Sequence, residues 1–258
     1  MLNRRTALSS GVLLALAGAA PARAQASGVA FTTDGRVALE ACRTVVEEHL
    51  GGILRAAKAV AATSDARSGQ WARVKPALAE LGADTPTTAA VWFARPDGAY
   101  DTVQAGLVHE TIRDRAYFPG LMAGGTVRGD LVISKSTGHR AAIVATPVKR
   151  GGKVMGAIGA SVDVRQLSEL VYGRAGLPAD LVFYALDAHG QTALHRDPAR
   201  MFEHPSDLGD PSLRSAVTTI LSKDKGQVDY DFQGAHRVAL FDRSPFTGWT
   251  FVLASIRG

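Results

Sequence analysis

Cysteine is almost absent from this chain: Cys42 is the only one in 258 residues. A framework of internal disulfides is thereby excluded, and the fold must rest on its apolar core. Cys42 falls on an apolar helical face, where a small buried thiol is expected. Long hydrophobic runs are also lacking. The apolar run at residues 11–20 is well short of the roughly 20 residues that span a bilayer, so no transmembrane segment is expected. The usual catalytic signatures are missing too. There is no HExxH zinc helix and no phosphate-binding glycine loop. "GASVD" lacks the flanking glycines of a nucleophile elbow. His189 and His195 are near each other in sequence, without a third ligand at metal spacing. No cofactor, no metal and no enzymatic activity are expected.

Charge imbalance is small once its position is considered. The chain has 29 basic and 24 acidic residues. Arg4, Arg5 and Arg23 lie in the first 26 residues, which hold no acid, so the remainder carries only +2. No dense basic run occurs there, and nucleic acid is excluded as a partner. Those first 26 residues have a basic start, a short apolar stretch and small-residue cleavage patterns ending at Ala24 or Ala26. This is the layout of a secretory signal peptide, of Sec or twin-arginine type. A periplasmic or secreted protein is expected.

The remainder is an ordinary globular composition, 46% apolar and 21% charged. Leu39, Cys42, Val46, Leu50, Ile53, Ala57 and Val60 recur at helical spacing, predicting a helix over residues 34–63 with Asp34 as its cap. At about 1.5 Å per residue it is roughly 45 Å long, the length of a spine along two domains. The Gly51-Gly52 pair marks a point where it can bend. A shorter helix follows over residues 71–81, with Pro76 restarting it. The period then changes. "AAVWFA", the "PDG" turn, "AYDTV", "DLVIS", "RAAIVATPV" and "VMGAIGASVD" read as strands joined by short turns, hence an antiparallel sheet. A second pass of the same plan begins near Arg165: a helix, "DLVFYAL", the "DAHG" turn, "QTALH", a helix over residues 212–221, then "GQVDYDF", "HRVALFD" and "WTFVLASI". This weak internal repeat predicts two tandem domains.

One stretch does not fit simple patterning. "RDRAYFPG", at residues 113–120, sets two arginines around an aspartate and then two aromatics before a proline. It is either a surface helix end whose aromatics dip into the core or a pocket wall that reads a small charged ligand.

The combination of the "PDG" turn, "DRAYF", "VISKSTG", "AAIVATPV" and "VMGAIGASVD" resembles the extracytoplasmic Cache sensor domains, also called PDC or PAS-like domains. The long leading helix and the second copy make it similar to the double-Cache arrangement. The resemblance implies an α+β fold: a long N-terminal helix followed by two tandem PAS-like domains with antiparallel sheets. It places a helical spine at residues 27–66, a membrane-distal-type, ligand-binding domain at 67–164 and a second Cache-like domain at 165–258. It implies that Arg115, Tyr117 and Phe118 line a ligand pocket and that Asp163 receives a ligand amine. Gly120 stands where the amino-acid-binding pattern carries a further aspartate, so amines, amino acids and small carboxylates stay open as ligands.

Each of these residues has a structural alternative. Arg115 can pair bidentately with a carboxylate, or answer Asp114 or Glu110 at the surface. Phe118 can fill core. Asp163 can cap a helix through the "DVRQ" pattern. Trp92 and Tyr100 lie on the first two strands, where the pocket floor is expected, and Ser134 offers a hydroxyl or starts the "SKSTG" turn. The expected function is an exported, soluble protein that binds a small ligand in its first domain for extracytoplasmic sensing. Since the chain ends at Gly258, just after its last strand, a membrane receptor or kinase is the expected partner. The alternative is a ligand-free structural module that has kept the fold and docks on a membrane partner.

Overall fold

The computed structural model describes residues 34–257; the signal-peptide reading lies outside the described residues. Helix α1 (Gly35–Ala61) starts where the Asp34 side chain accepts the Arg36 amide at 2.7 Å. It runs through Gly51 and Gly52 without a break, and its 27 residues span about 40 Å. Two further helices follow, α2 (Ser64–Arg67) and α3 (Trp71–Asp84). Pro76 sits inside α3 rather than restarting it. The ring removes one backbone bond, but Val74, Leu78 and Leu81 bury on either side of it and hold the helix together.

The first sheet comprises β1 (Thr88–Ala94), β2 (Ala99–Thr102), β3 (Gly106–Thr111), β4 (Val127–Ile133), β5 (Arg140–Arg150) and β6 (Lys153–Asp163), with the short helix α4 (Phe118–Met122) between β3 and β4. Its order is β3-β2-β1-β6-β5-β4. Strand β3 had no signature in the sequence because it is an edge strand, mostly exposed on both faces, so its side chains need not alternate. Helix α5 (Val164–Ala175) leads into the second sheet: β7 (Leu181–Leu186), β8 (Thr192–His195), helix α6 (Pro211–Ser222), β9 (Lys225–Phe232), β10 (Ala235–Arg243) and β11 (Thr250–Arg257). The order there is β8-β7-β11-β10-β9. Apart from the extra edge strand β3, the two sheets have one topology, and every pairing is antiparallel. The internal repeat is thus a repeat of fold. Among the described residues no helix is long and apolar enough to cross a membrane.

Each sheet buries both faces. On one face a continuous apolar cluster joins Leu39, Cys42, Val46, Leu50 and Ile53 of α1 to Val144 and Val162 of the first sheet and to Phe183, Phe251 and Leu253 of the second. Farther along α1, Ala57 and Ala61 pack with α3 on Val91, Phe93 and Ile158. The opposite faces hold separate clusters: Trp92, Tyr100, Tyr117, Phe118 and Ile143 in the first lobe, and Tyr184, Leu213, Val217, Tyr230 and Phe241 under α6 in the second. The lobes are also locked by a buried polar contact. Trp249 Nε1 donates to the Gly129 carbonyl at 3.1 Å. Gly129 sits at a bulge in β4 with φ 118°, and a Cβ there would lie 3.1 Å from the Trp249 ring, so only glycine admits this approach.

If α1 welds both lobes into one cooperative unit, Leu50→Ala, at a fully buried site of the shared cluster, destabilises the whole chain by about 2–5 kcal/mol. Urea unfolding followed in parallel by fluorescence and far-UV circular dichroism checks this. The transition stays single and shifts to lower denaturant, whereas a biphasic curve would show that the lobes unfold separately.

Candidate functional site

The first-lobe residues read from the sequence fall into three groups. Trp92, Tyr100, Tyr117 and Phe118 form one buried cluster on the sheet face away from α1. The Trp92 and Tyr100 rings meet edge to face at 6.5 Å. Trp92 lies down on the sheet because its cross-strand partner is Gly159, where a Cβ would come within 2.1 Å of the indole. Desolvation raises the phenols of Tyr117 and Tyr100 above their ordinary values, so both stay neutral hydroxyls.

Arg115 and Ser134 form the second group, at a clasp between the segment preceding α4 and the β4–β5 hairpin. Arg115 Nη2 donates to the Ile133 carbonyl at 2.6 Å. Lys135 Nζ donates to the Thr111 carbonyl at 2.7 Å and to both Asp114 oxygens at 2.8 Å, and lies 3.9 Å from Glu110. The acids that could have engaged Arg115 are thus paired with Lys135. The half-buried Arg115 guanidinium stands beside the aromatic cluster with one backbone acceptor among the described residues. Ser134 is buried, its amide accepted by the His139 carbonyl at 2.8 Å and its Oγ 3.3 Å from Ser136 Oγ. Arg113 and Asp114 are exposed.

Asp163 stands apart. Strand alternation places it on the same face as Ala157 and Gly159, at the end of β6. Its Oδ1 accepts the amides of Arg165 and Gln166 at 2.9 and 3.1 Å, capping α5, and its Oδ2 lies 2.9 Å from His139 Nδ1. Among the described residues no hydrogen bond joins it to Arg115 or to the aromatics. Lys135 and His139 were not identified from the sequence as parts of this region. Both sit in the "SKSTGH" hairpin, whose turn character was legible but whose contacts depend on the fold.

The second lobe has a hollow of about 210 Å³ on the equivalent face, lined by Val182, Tyr184, His195, Arg200, Phe232 and Arg237, among others. The Arg200 and Arg237 guanidiniums both stack on the Phe232 ring, at 5.4 and 5.5 Å from its centroid. The Asp197 amide donates to His195 Nδ1 at 2.8 Å, which leaves the proton of the neutral ring on Nε2. Burial lowers the His195 pKa to about 4. None of these residues was singled out from the sequence as a ligand contact. The sequence marks His195 only through its nearness to His189, and among the described residues no group of three or more His, Cys, Asp or Glu side chains is placed to hold a metal.

The His195 shift has a consequence for stability. The unfolded chain takes up this proton near pH 6.5 and the folded chain only near 4. Between those values the unfolded state binds more protons, so stability present above pH 6.5 is lost as pH falls toward 4. Urea midpoints measured across this window fall with pH, and His195→Gln flattens the slope. An unchanged slope in the variant would show that His195 is not the titrating group.

No family model and no curated protein matches the chain. Solved structures do. The ligand-binding domain of the Pseudomonas aeruginosa amino-acid chemoreceptor PctB, in complex with L-Arg, superposes with a TM-score of 0.68 at 16% identity, covering 86% of this chain and 93% of that one. The ligand-binding domain of the Pseudomonas fluorescens chemoreceptor CtaA, in complex with L-isoleucine, gives 0.66 at 19% identity, with 86% and 89% covered. The sensory domain of the Campylobacter jejuni chemoreceptor Tlp3, with isoleucine bound, gives 0.64 at 11% identity, with 85% and 90% covered. Two sheets of one topology strung on a single long helix, matched over nearly the full length of these domains, give this chain the double-Cache fold of chemoreceptor sensor domains.

Proposed function

We propose that this protein is an exported sensor that binds a small amine- or carboxylate-bearing ligand, of amino-acid size, in its first domain (residues 67–164) and passes the signal to a membrane receptor or kinase. The observation that carries this reading is the position of Arg115. Lys135 holds the neighbouring acids, so among the described residues the Arg115 guanidinium is free of ion pairs at the edge of the Trp92, Tyr100, Tyr117 and Phe118 cluster. A planar fork beside aromatic walls suits a carboxylate on an apolar body. Asp163, with Ser134 near the clasp, supplies the acid on the same sheet face for an ammonium. The amino-acid complexes of the structural neighbours agree with this ligand class.

A second reading, a docking module that has kept the fold without a ligand, is favoured by one feature: the aromatic cluster is closed by its own side chains, and both Asp163 oxygens already have partners. A thermal-shift screen of amino acids, amines, small carboxylates and purines separates the two. A ligand at about 100 Kd adds roughly 2.7 kcal/mol to stability. Arg115→Ala abolishes the shift for carboxylate ligands. Asp163→Asn, which keeps a cap acceptor for α5, weakens it for amines. If no compound stabilises the wild type, or if both variants respond as it does, the docking reading replaces the sensor reading.

A further inference from the structure

We propose that the second lobe carries a binding site of its own, for a small monocarboxylate with an apolar body, in which Arg237 and Tyr184 receive the carboxylate. It lies in the 210 Å³ hollow, on the face topologically equivalent to the Trp92 face of the first lobe, and is independent of the Arg115 region.

The hollow leaves buried polar groups unsatisfied. Tyr184 is 6% exposed, yet among the described residues its hydroxyl makes no hydrogen bond within 3.5 Å, and it interacts only loosely with the Tyr230 phenol. Arg237 Nε is buried and, among the described residues, likewise has no partner, while its guanidinium stacks on Phe232. A buried polar group without a partner is a cost that native folds seldom keep without a use. Arg237 Nε–H is a donor only, the Tyr184 hydroxyl has a proton to give, and His195 keeps its proton on Nε2. The unmet demand is therefore for an acceptor, and beside a guanidinium the matching acceptor is an anion. Two carboxylates also line the hollow. Asp197 and Glu203 each lie 4.0 Å from Arg200, and Asp197 Oδ1 further accepts the Ala199 amide at 2.9 Å. Arg200 thus answers the hollow's own acids, and Arg237 is the cation left for a ligand. Val182, Leu213 and Phe232 supply the apolar wall. Both described non-glycine residues with left-handed backbone, Phe202 (φ 67°) and Gln233 (φ 54°), occur beside this site: Gln233 lines it and Phe202 precedes Glu203.

Isothermal titration of the purified chain with 4-methylpentanoate and 3-phenylpropionate, and with the corresponding primary amides and amines, tests the proposal. Both acids are expected to bind, with the amides and amines at least about tenfold weaker, as loss of a charge-assisted pair implies. Arg237→Gln weakens the acids about tenfold or more. Tyr184→Phe, which removes only an unpaired hydroxyl and leaves the chain folded, weakens them severalfold. Arg115→Ala leaves them unchanged, which separates this site from the first-lobe reading. The proposal is overturned if neither acid binds at millimolar concentration, if amides bind as well as acids, if both second-lobe variants bind as the wild type does, or if Arg115→Ala abolishes binding.

Discussion

Helix α1 buries one apolar stripe against two sheets at once, and the remaining architecture depends on that contact. Leu39, Cys42, Val46 and Leu50 are all at most 5% exposed, and they touch side chains from both lobes. At about 40 Å the helix is long enough to lie along both sheets and still reach α3 at its far end. With one face of each sheet committed to the spine, only the opposite faces are left to carry chemistry. The Trp249–Gly129 bond reinforces the arrangement, because a buried indole N–H must find an acceptor and finds it across the lobe boundary.

Charge pairing then decides which polar groups remain available on those free faces. In the first lobe, Lys135 reaches Asp114, Glu110 and the Thr111 carbonyl from the neighbouring hairpin. Local sequence would have paired Asp114 with Arg115, its immediate neighbour. The hairpin lysine changes that allocation and releases the guanidinium. The same logic operates in the second lobe, where Arg200 stands between Asp197 and Glu203 and Arg237 stacks on Phe232 with Nε unpaired. In each lobe one basic residue meets the local acids and leaves an arginine beside aromatic surface.

The two free faces share a topology but are filled differently, and a single cross-strand position accounts for part of this. Trp92 lies over Gly159, which has no side chain, so the indole occupies the space above the sheet. Tyr184 pairs instead with Val252, whose branched side chain denies the ring that space. The first-lobe face is consequently packed by its own aromatics, whereas the second keeps a hollow with unsatisfied donors at its edge.

The sequence by itself determined the elements whose signals are local. The stripe of α1, the capping role of Asp163, the turns at "PDG" and "DAHG" and the doubled strand pattern were all legible, because helical period, strand alternation and turn chemistry act within a few residues. The aromatics Trp92, Tyr100, Tyr117 and Phe118 were legible as a group through family likeness, and the fold brings them into one cluster. Edge strand β3 escaped because an exposed strand carries no alternation, and Pro76 was misplaced because packing on both sides of it outweighs one lost backbone bond. Only the tertiary structure decided that Lys135 rather than Arg115 takes Asp114 and Glu110, that His139 meets Asp163, and that Tyr184 and Arg237 face one hollow. Tyr184 and Arg237 are 53 positions apart in the chain, and pairing between charges and donors follows distance in space, which the pattern along the chain does not encode.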